Sequence, residues 1–209
     1  AKSDKGHIIL KLDSGYNVGV STKKIKSMKK LKKDKKAKEF PPEKVKEKKG
    51  LPKITILHTG GTIASRIDYR TGAVYSAFTP EDLLQNFPEL KKIANFDSKL
   101  IGNMWSDDLR FSHFKVIAEA VKEQVDKGAD GVIIGMGTDN LAVASAALAF
   151  IFEKLPIPVL FVGAQRSSDR GSSDAAMNLT CASNFIANSD FAGVAVCMHS
   201  SSSDDSCSI

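Results

Sequence analysis

The chain has 209 residues, 42% of them hydrophobic, and a formal net charge of +6. That length suits one ordinary domain with attachments or two small ones, and no apolar run approaches the ~18–20 residues that span a bilayer. Residues 23–49 hold 14 lysines against four acids (Asp34, Glu39, Glu43, Glu47), a local excess of +10 that leaves the rest of the chain at −4. The basicity therefore belongs to one segment, and the folded body is not itself a basic nucleic-acid-binding surface.

The first residues, AKSDKGHIILKLDSG, lack the charged, apolar and cleavage regions of a secretory leader. Three cysteines (Cys181, Cys197, Cys207) form no CxxC pair, and reduced thiols in a cytoplasmic protein account for them. GHIILKLDSGYNVGV (6–20) alternates apolar and polar residues around a Ser-Gly-Tyr-Asn turn, which predicts a β-hairpin. A lone hairpin is marginal in water, so it reads as part of a small β-domain over residues 1–22. The lysine-rich stretch over 23–50, broken by Pro41-Pro42, reads as a linker. It also has a phosphate-binding reading, but no aromatic residues for base stacking are interleaved with it.

From residue 51 to 209 strand and helix patterns alternate. KITIL is a short buried strand by its β-branched content. In SHFKVIAEAVKEQVDKG, Phe114, Ile117, Ala118, Val121 and Val125 share one helix face, and Gly128 is a stop. GVIIGM predicts a second strand, and the alanine-rich NLAVASAALAFIFEKL a largely buried helix. PVLFVG, SSDAAMNLTCASNFIAN and GVAVCM then predict strand, helix, strand. Continuous apolar strands separated by helices imply an α/β fold, a parallel sheet with helices on both faces. Ligands of such sheets gather at the carboxyl ends of the strands. HTGGT, GMGTDN and GAQRSSD share that edge.

Each of these motifs has a plain structural reading beside a chemical one. Gly60 and Gly61 permit a tight turn and close approach of backbone N–H groups to a ligand. Thr62 then either caps a helix or presents a hydroxyl. The spacing is not that of a phosphate-binding P-loop. Thr138 and Asp139 leave a very apolar strand. The carboxylate beside a hydroxyl can orient a nucleophile, hold an ammonium group or cap the next helix. Ser106, Asp107 and Asp108 stand ahead of a helix, where capping is the default role for at least one of them. Cys197 and His199, two apart, lack further ligands at zinc spacing, so no metal site is expected. His58 has no evident partner as a general base, and His7 and His113 look incidental.

Taken together, ITILHTGGTIAS, SDDL, GMGTDN and GAQRSSDRGSSDAAMNL resemble the L-asparaginase/glutaminase family of threonine-nucleophile amidohydrolases. The hairpin, the basic linker and SRIDYRTGAVYSAFTPEDL are most similar to its branch of archaeal tRNA-dependent amidotransferase subunits. The resemblance implies that Thr62 attacks a side-chain amide and forms an acyl-enzyme. It implies that Thr138 and Asp139 activate the nucleophile and position substrate, and that Ser106 and Asp107 contact the α-carboxylate and α-ammonium groups. It further implies that backbone donors near Gly61 hold the developing negative charge and that Tyr75 sits on a mobile closing loop. No cofactor is implied in this chain. The resemblance implies ATP and Mg on a partner, the E subunit of the amidotransferase, which would act on Glu-tRNA(Gln) with a homodimer of this chain. Alternatives left open by the sequence are a stand-alone L-asparaginase and a catalytically dead scaffold.

The chain also departs from the family pattern. Met136 and Asn140 flank Gly-Thr-Asp where the family usually has His and Thr. No lysine follows Lys154, although the family's catalytic lysine lies beyond its Ser-Asp-Asp segment. The expectation is a shortened chain that lacks the family's C-terminal domain.

Overall fold

The computed structural model of the chain describes residues 3–4, 7–11, 17–27, 47–61, 65–68, 73–76, 84, 87–166, 173–201 and 205–209. Its contacts divide it into two units, Ala1–Glu43 with Ile67–Ala73, and Lys44–Arg66 with Val74–Ile209.

In the first unit, β1 (Ser3–Asp4), β2 (His7–Lys11) and β3 (Asn17–Ser21) form an antiparallel sheet in that order. The β2–β3 register sets Ile9 opposite Gly19 and Leu10 opposite Val18. The expected hairpin is present, with one more two-residue strand at its edge. Its turn, 12–16, and the centre of the lysine-rich segment, 28–46, lie outside the described residues.

The second unit is built on a six-stranded sheet. Its strands are β4 (Lys53–His58), β7 (Asn95–Leu100), β8 (Gly131–Gly135), β9 (Pro158–Val162), β10 (Gly193–His199) and β11 (Cys207–Ser208). Between β4 and β7 in the chain, β5 (Ser65–Asp68) and β6 (Ala73–Ser76) make a separate two-stranded sheet. The six strands lie in the order β11-β10-β9-β8-β4-β7, all parallel except the β10–β11 pair. Among the described residues three helices cross between them: α1 (Phe111–Asp126), α2 (Leu141–Ile151) and α3 (Ala175–Asn188).

Alternate side chains of each central strand point to opposite faces, and both faces are covered. Ile54, Ile56, Ile133, Leu160 and Val162 pack with Ala175, Leu179, Ala182 and Ile186 of α3. Leu57, Val132, Ile134, Val159 and Phe161 pack with Phe114, Ile117 and Val121 of α1 and with Leu141, Ala144 and Leu148 of α2. Gly131 lets α3 approach closely, because a Cβ there would overlap the Ile186 side chain. The amino ends of the strands are tied by side chains. Asp130 accepts the Lys53 N–H at 2.7 Å, and Asn95 both accepts from Lys48 N–H and donates to the Lys48 carbonyl.

Two expectations change, and one strand is new. The alanine-rich helix ends at Ile151, and it is buried on one side only: Leu141, Ala144, Ser145 and Leu148 face inward, while Val143, Phe150 and Ile151 are exposed. The segment NFDSKL forms β7, an edge strand whose polar residues gave no apolar run to detect. Ser106–Asp108 make their own 3-10 turn and do not cap α1, which begins at Phe111.

Phe161 is fully buried on a strand with neighbours on both sides. Phe161→Ala is expected to cost about 3–5 kcal/mol through lost burial and the cavity left behind. Urea unfolding would read this as a lower midpoint at an unchanged slope.

Candidate functional site

The carboxyl edge of the sheet brings three strand-end loops together through backbone contacts. The His58 carbonyl at the end of β4 accepts from Ile101 N–H at 2.8 Å and Gly102 N–H at 3.2 Å. Thr59 N–H donates to the Gly135 carbonyl at 3.0 Å, and Met104 N–H donates to the Thr59 carbonyl at 2.9 Å. One residue, Thr59, thus joins the loops that follow β4, β7 and β8.

Gly60 and Gly61 then pass where no side chain fits. Both hold left-handed backbone, with φ of 109° and 83°. A Cβ on Gly60 would come within 2.7 Å of the Met104 carbonyl oxygen. On Gly61 it would overlap the Gly137 nitrogen and lie 2.8 Å from the Met136 carbonyl carbon. The sequence GG is therefore a requirement of loop packing as well as of turn geometry.

Beside that contact sit the polar residues. Ser106, only 4% exposed, donates its hydroxyl to Asp139 Oδ2 at 2.6 Å, linking residues 33 apart in sequence. Asn140 Nδ2 donates to the Ser106 carbonyl at 2.7 Å, a second tie between the same two loops. Gly137 must lack a side chain here too, since a Cβ would sit 2.7 Å from Ser106 Oγ. The Thr138 methyl packs against Gly163, at the end of β9. Asp107 and Asp139 are exposed, Thr138 is half-buried. Two exposed carboxylates, a bound serine hydroxyl and crowded backbone amides can together hold a small zwitterion by its ammonium and carboxylate groups.

The sequence-predicted residues thus divide. Gly61, Ser106, Thr138 and Asp139 are brought to one edge. Asp107 belongs to the same turn as Ser106. Thr62 lies outside the described residues; Tyr75 is placed by its backbone in β6, and its side chain lies outside them. His58 is buried, and burial lowers its pKa to about 4, so the imidazole is neutral at neutral pH. Cys197 and His199 go to different partners, the Cys197 thiol to the Asn178 carbonyl and His199 to Asp174.

Sequence reasoning missed Asn140 as a tie and Asp174 as a hub. Asp174 is 1% exposed. Its carboxylate accepts from the backbone N–H of Gln165 at 3.1 Å and of Arg166 at 3.0 Å, from Asn178 Nδ2 at 3.1 Å, and faces His199 Nδ1 at 3.2 Å. Burial alone would raise its pKa. The backbone donors of Arg166 and Gln165, helped by His199, outweigh burial and hold it below the ordinary carboxylate value. The available signal was an Asp directly before a helix and after GAQR. Its bonds bend the β9 loop back onto α3 and set where that loop meets the strand edge.

The family described as Asparaginase, N-terminal matches residues 53–203, and the GatD N-terminal domain family matches residues 1–31. The D subunit of the glutamyl-tRNA(Gln) amidotransferase of Methanosarcina mazei is 48% identical over 99% of this chain and 51% of its own length. Its counterpart in Pyrococcus furiosus is 48% identical over 98% of this chain and 47% of its own. The chain spans about half the length of the curated relatives it matches. Among solved structures, the thermostable L-asparaginase of Thermococcus kodakarensis superposes with a TM-score of 0.62 at 34% identity, covering 69% of this chain and 43% of that one. L-asparaginase I of Vibrio cholerae gives 0.62 at 31% identity, covering 70% and 44%.

Two outcomes follow from the geometry. Gly61→Ala is expected to lose about 2 kcal/mol or more, from left-handed strain and the overlap with Gly137, visible as a lowered urea midpoint. Asp174→Asn is expected to cost about 3 kcal/mol at pH 7, because buried donors lose a charged acceptor. The folded-state pKa of Asp174 is depressed, so its contribution is present above the unfolded value of about 3.9 and is lost as pH falls through the folded one. Unfolding free energies of the two proteins should accordingly converge below about pH 4.

Proposed function

Because this chain belongs to the asparaginase family, we propose that it is the glutaminase subunit of a tRNA-dependent amidotransferase. It hydrolyses glutamine to glutamate and ammonia, with Thr62 as nucleophile. The observation that carries the reading is the Ser106–Asp139 bond at 2.6 Å, which brings two separate motifs into one polar cluster beside Gly61. Thr62 is one peptide bond from Gly61, and Thr138 one from Gly137, the two glycines whose backbones touch.

In this reading Asp139 and Asp107 hold the substrate's α-ammonium group, and Ser106 turns its hydroxyl to the α-carboxylate. The Thr62 hydroxyl attacks the side-chain amide carbon. Backbone N–H groups around Gly61 hold the oxyanion, a donor set of a kind worth about 10²–10³ in rate per donor. Ammonia leaves carrying the hydroxyl proton, a water then attacks the acyl-enzyme, and glutamate departs with Thr62 restored. Thr138 positions the nucleophile for both steps. His58 takes no proton at neutral pH, since burial keeps its pKa at about 4. Tyr75 closes over the bound substrate.

The ammonia passes to a partner, the E subunit of the amidotransferase, which uses ATP and Mg to activate Glu-tRNA(Gln). The chain acts as a homodimer in the cytoplasm, and among its described residues no helix is long and apolar enough to cross a membrane. Residues 1–22 form part of the small β-domain, 23–50 the linker and 51–209 the amidohydrolase domain. A second reading, a stand-alone L-asparaginase, is favoured by the solved relatives, which are themselves L-asparaginases.

Ammonia release from glutamine and from asparagine by the full chain tests both readings, with Thr62→Ala beside the natural sequence. Glutamine turnover that falls by at least about 10³-fold in the variant supports the threonine mechanism. Turnover of asparagine alone selects the second reading, and a folded chain that releases no ammonia from either overturns both.

A further inference from the structure

Three cysteines from three different elements meet on the side of the sheet that α3 covers. Cys181 lies three residues after Asn178, on the same face of that helix. Cys197 and His199 share one face of β10, and the β10–β11 register sets Cys207 opposite His199. Cys207 and Cys197 are therefore diagonal neighbours on that face. All three side chains pack in the cluster that holds Ala182 and Ile186. Asn178 joins two of them: its backbone carbonyl accepts from the Cys197 thiol at 3.6 Å, and its Oδ1 accepts from the Cys207 thiol at 3.5 Å. The Cys207 sulfur is also within hydrogen-bond reach of both Cys181 and Cys197.

The three thiols are not equivalent. Cys197 is fully buried, whereas Cys181 and Cys207 are half-buried and open to a small reagent. Burial pushes the Cys197 thiol up to about 12 and raises that of Cys207 as well, so both are uncharged at neutral pH and pack without repulsion. A diagonal pair on neighbouring strands sits about 7–8 Å apart, beyond the ordinary reach of a disulfide. That spacing disfavours a bond between Cys197 and Cys207. The helix-to-strand pair, Cys181 and Cys207, has no such restriction, and α3 packs on β11.

We propose that Cys181 and Cys207 are a redox modification site, which a small-molecule disulfide such as oxidised glutathione converts to an intramolecular disulfide joining α3 to β11. One thiol of the pair loses its proton and attacks the reagent's S–S bond, which gives a mixed disulfide and releases one small thiol. The second thiol attacks the protein-bound sulfur of that mixed disulfide and releases another small thiol. The protein gives up two electrons and two protons, and the two sulfurs of the reagent take them up. The new bond holds β11, whose register with β10 pairs Met198 with Ser208 and His199 with Cys207, against the helix. It also withdraws the Cys207 S–H from Asn178, whose Nδ2 holds the Gly163 carbonyl and Asp174 Oδ2, each at 3.1 Å. The inference is independent of the ammonia-releasing reaction.

Incubation of the full, folded chain with oxidised glutathione, followed by thiol counting and disulfide mapping of proteolytic fragments, tests it. Two of the three thiols are lost, the chain mass falls by the two hydrogens of the bond, and one linked fragment joins Cys181 to Cys207. A dithiol reductant restores all three thiols. Cys181→Ser and Cys207→Ser each abolish the intramolecular link, while Cys197→Ala keeps it. The linked chain melts at least about 3 °C above the reduced one, because the bond closes a loop in the unfolded chain. A link through Cys197, a glutathione adduct alone, a bond between chains, three thiols left free or a linked chain that melts lower overturns the assignment. The mapping is made on the natural sequence, so it decides the matter even where a variant fails to fold.

Discussion

The contact between the backbones of Gly61 and Gly137 is the constraint on which the candidate site depends. Parallel strands deliver their loops to a common edge about 4.8 Å apart, but ordinary side chains would hold those loops away from each other. Removing Cβ at Gly60, Gly61 and Gly137 lets the loops after β4, β7 and β8 lie backbone against backbone. Thr59 then hydrogen-bonds to both of its neighbours. The left-handed dihedrals of Gly60 and Gly61 carry no strain in glycine. The geometry is thus held by the same interactions that build the sheet, and the polar residues arrive already positioned.

Electrostatics divides this edge into two parts with different purposes. Ser106, Asp139 and Asn140 form a tie whose carboxylate remains open to solvent and can exchange its partner for a ligand. Asp174 is the opposite case, a fully enclosed carboxylate bonded to backbone N–H groups, an amide and a histidine. A buried charge so well satisfied is costly to disturb. It ties Gln165 and Arg166, just after β9, to the start of α3. Burial keeps the His58 imidazole neutral, so it adds no positive charge at neutral pH.

Most of the sheet was legible because apolar continuity survives as a pattern in sequence. ITIL, GVII and PVLFV each announce a strand buried on both faces, and GVAVCM a strand that is half-buried except at Cys197. NFDSKL escaped because an edge strand is half in water, and β11 because two residues make no pattern. The reading of α2 as buried shows the complementary failure. Composition says how apolar a helix is, but it does not say how many neighbours the fold supplies; α2 has the sheet and α1 on one side only. Within the site, the motifs were legible as turns after strands. Their pairing was not, since nothing in SDDL or GTDN announces a bond between Ser106 and Asp139. That bond is a property of strand order, which sets β4 between β7 and β8.

Packing and one hydrogen bond account for Met136 and Asn140, the residues that flank Gly-Thr-Asp. Met136 is fully buried, in the cluster with Ile134, Leu141 and Phe161. At such a position an apolar, pliable thioether fills space without needing a hydrogen-bond partner, which an imidazole there would require. Asn140 stands where the carboxamide reaches the Ser106 carbonyl at 2.7 Å. Threonine has a shorter side chain with a single O–H donor, and it could not span the same gap from the same backbone. Both residues therefore act in how the loops are packed and tied, and neither displaces Ser106 or Asp139 from their mutual bond. The Gly-Thr-Asp between them keeps its place at the edge because its neighbours hold the loop from either side, one by burial and the other by a hydrogen bond.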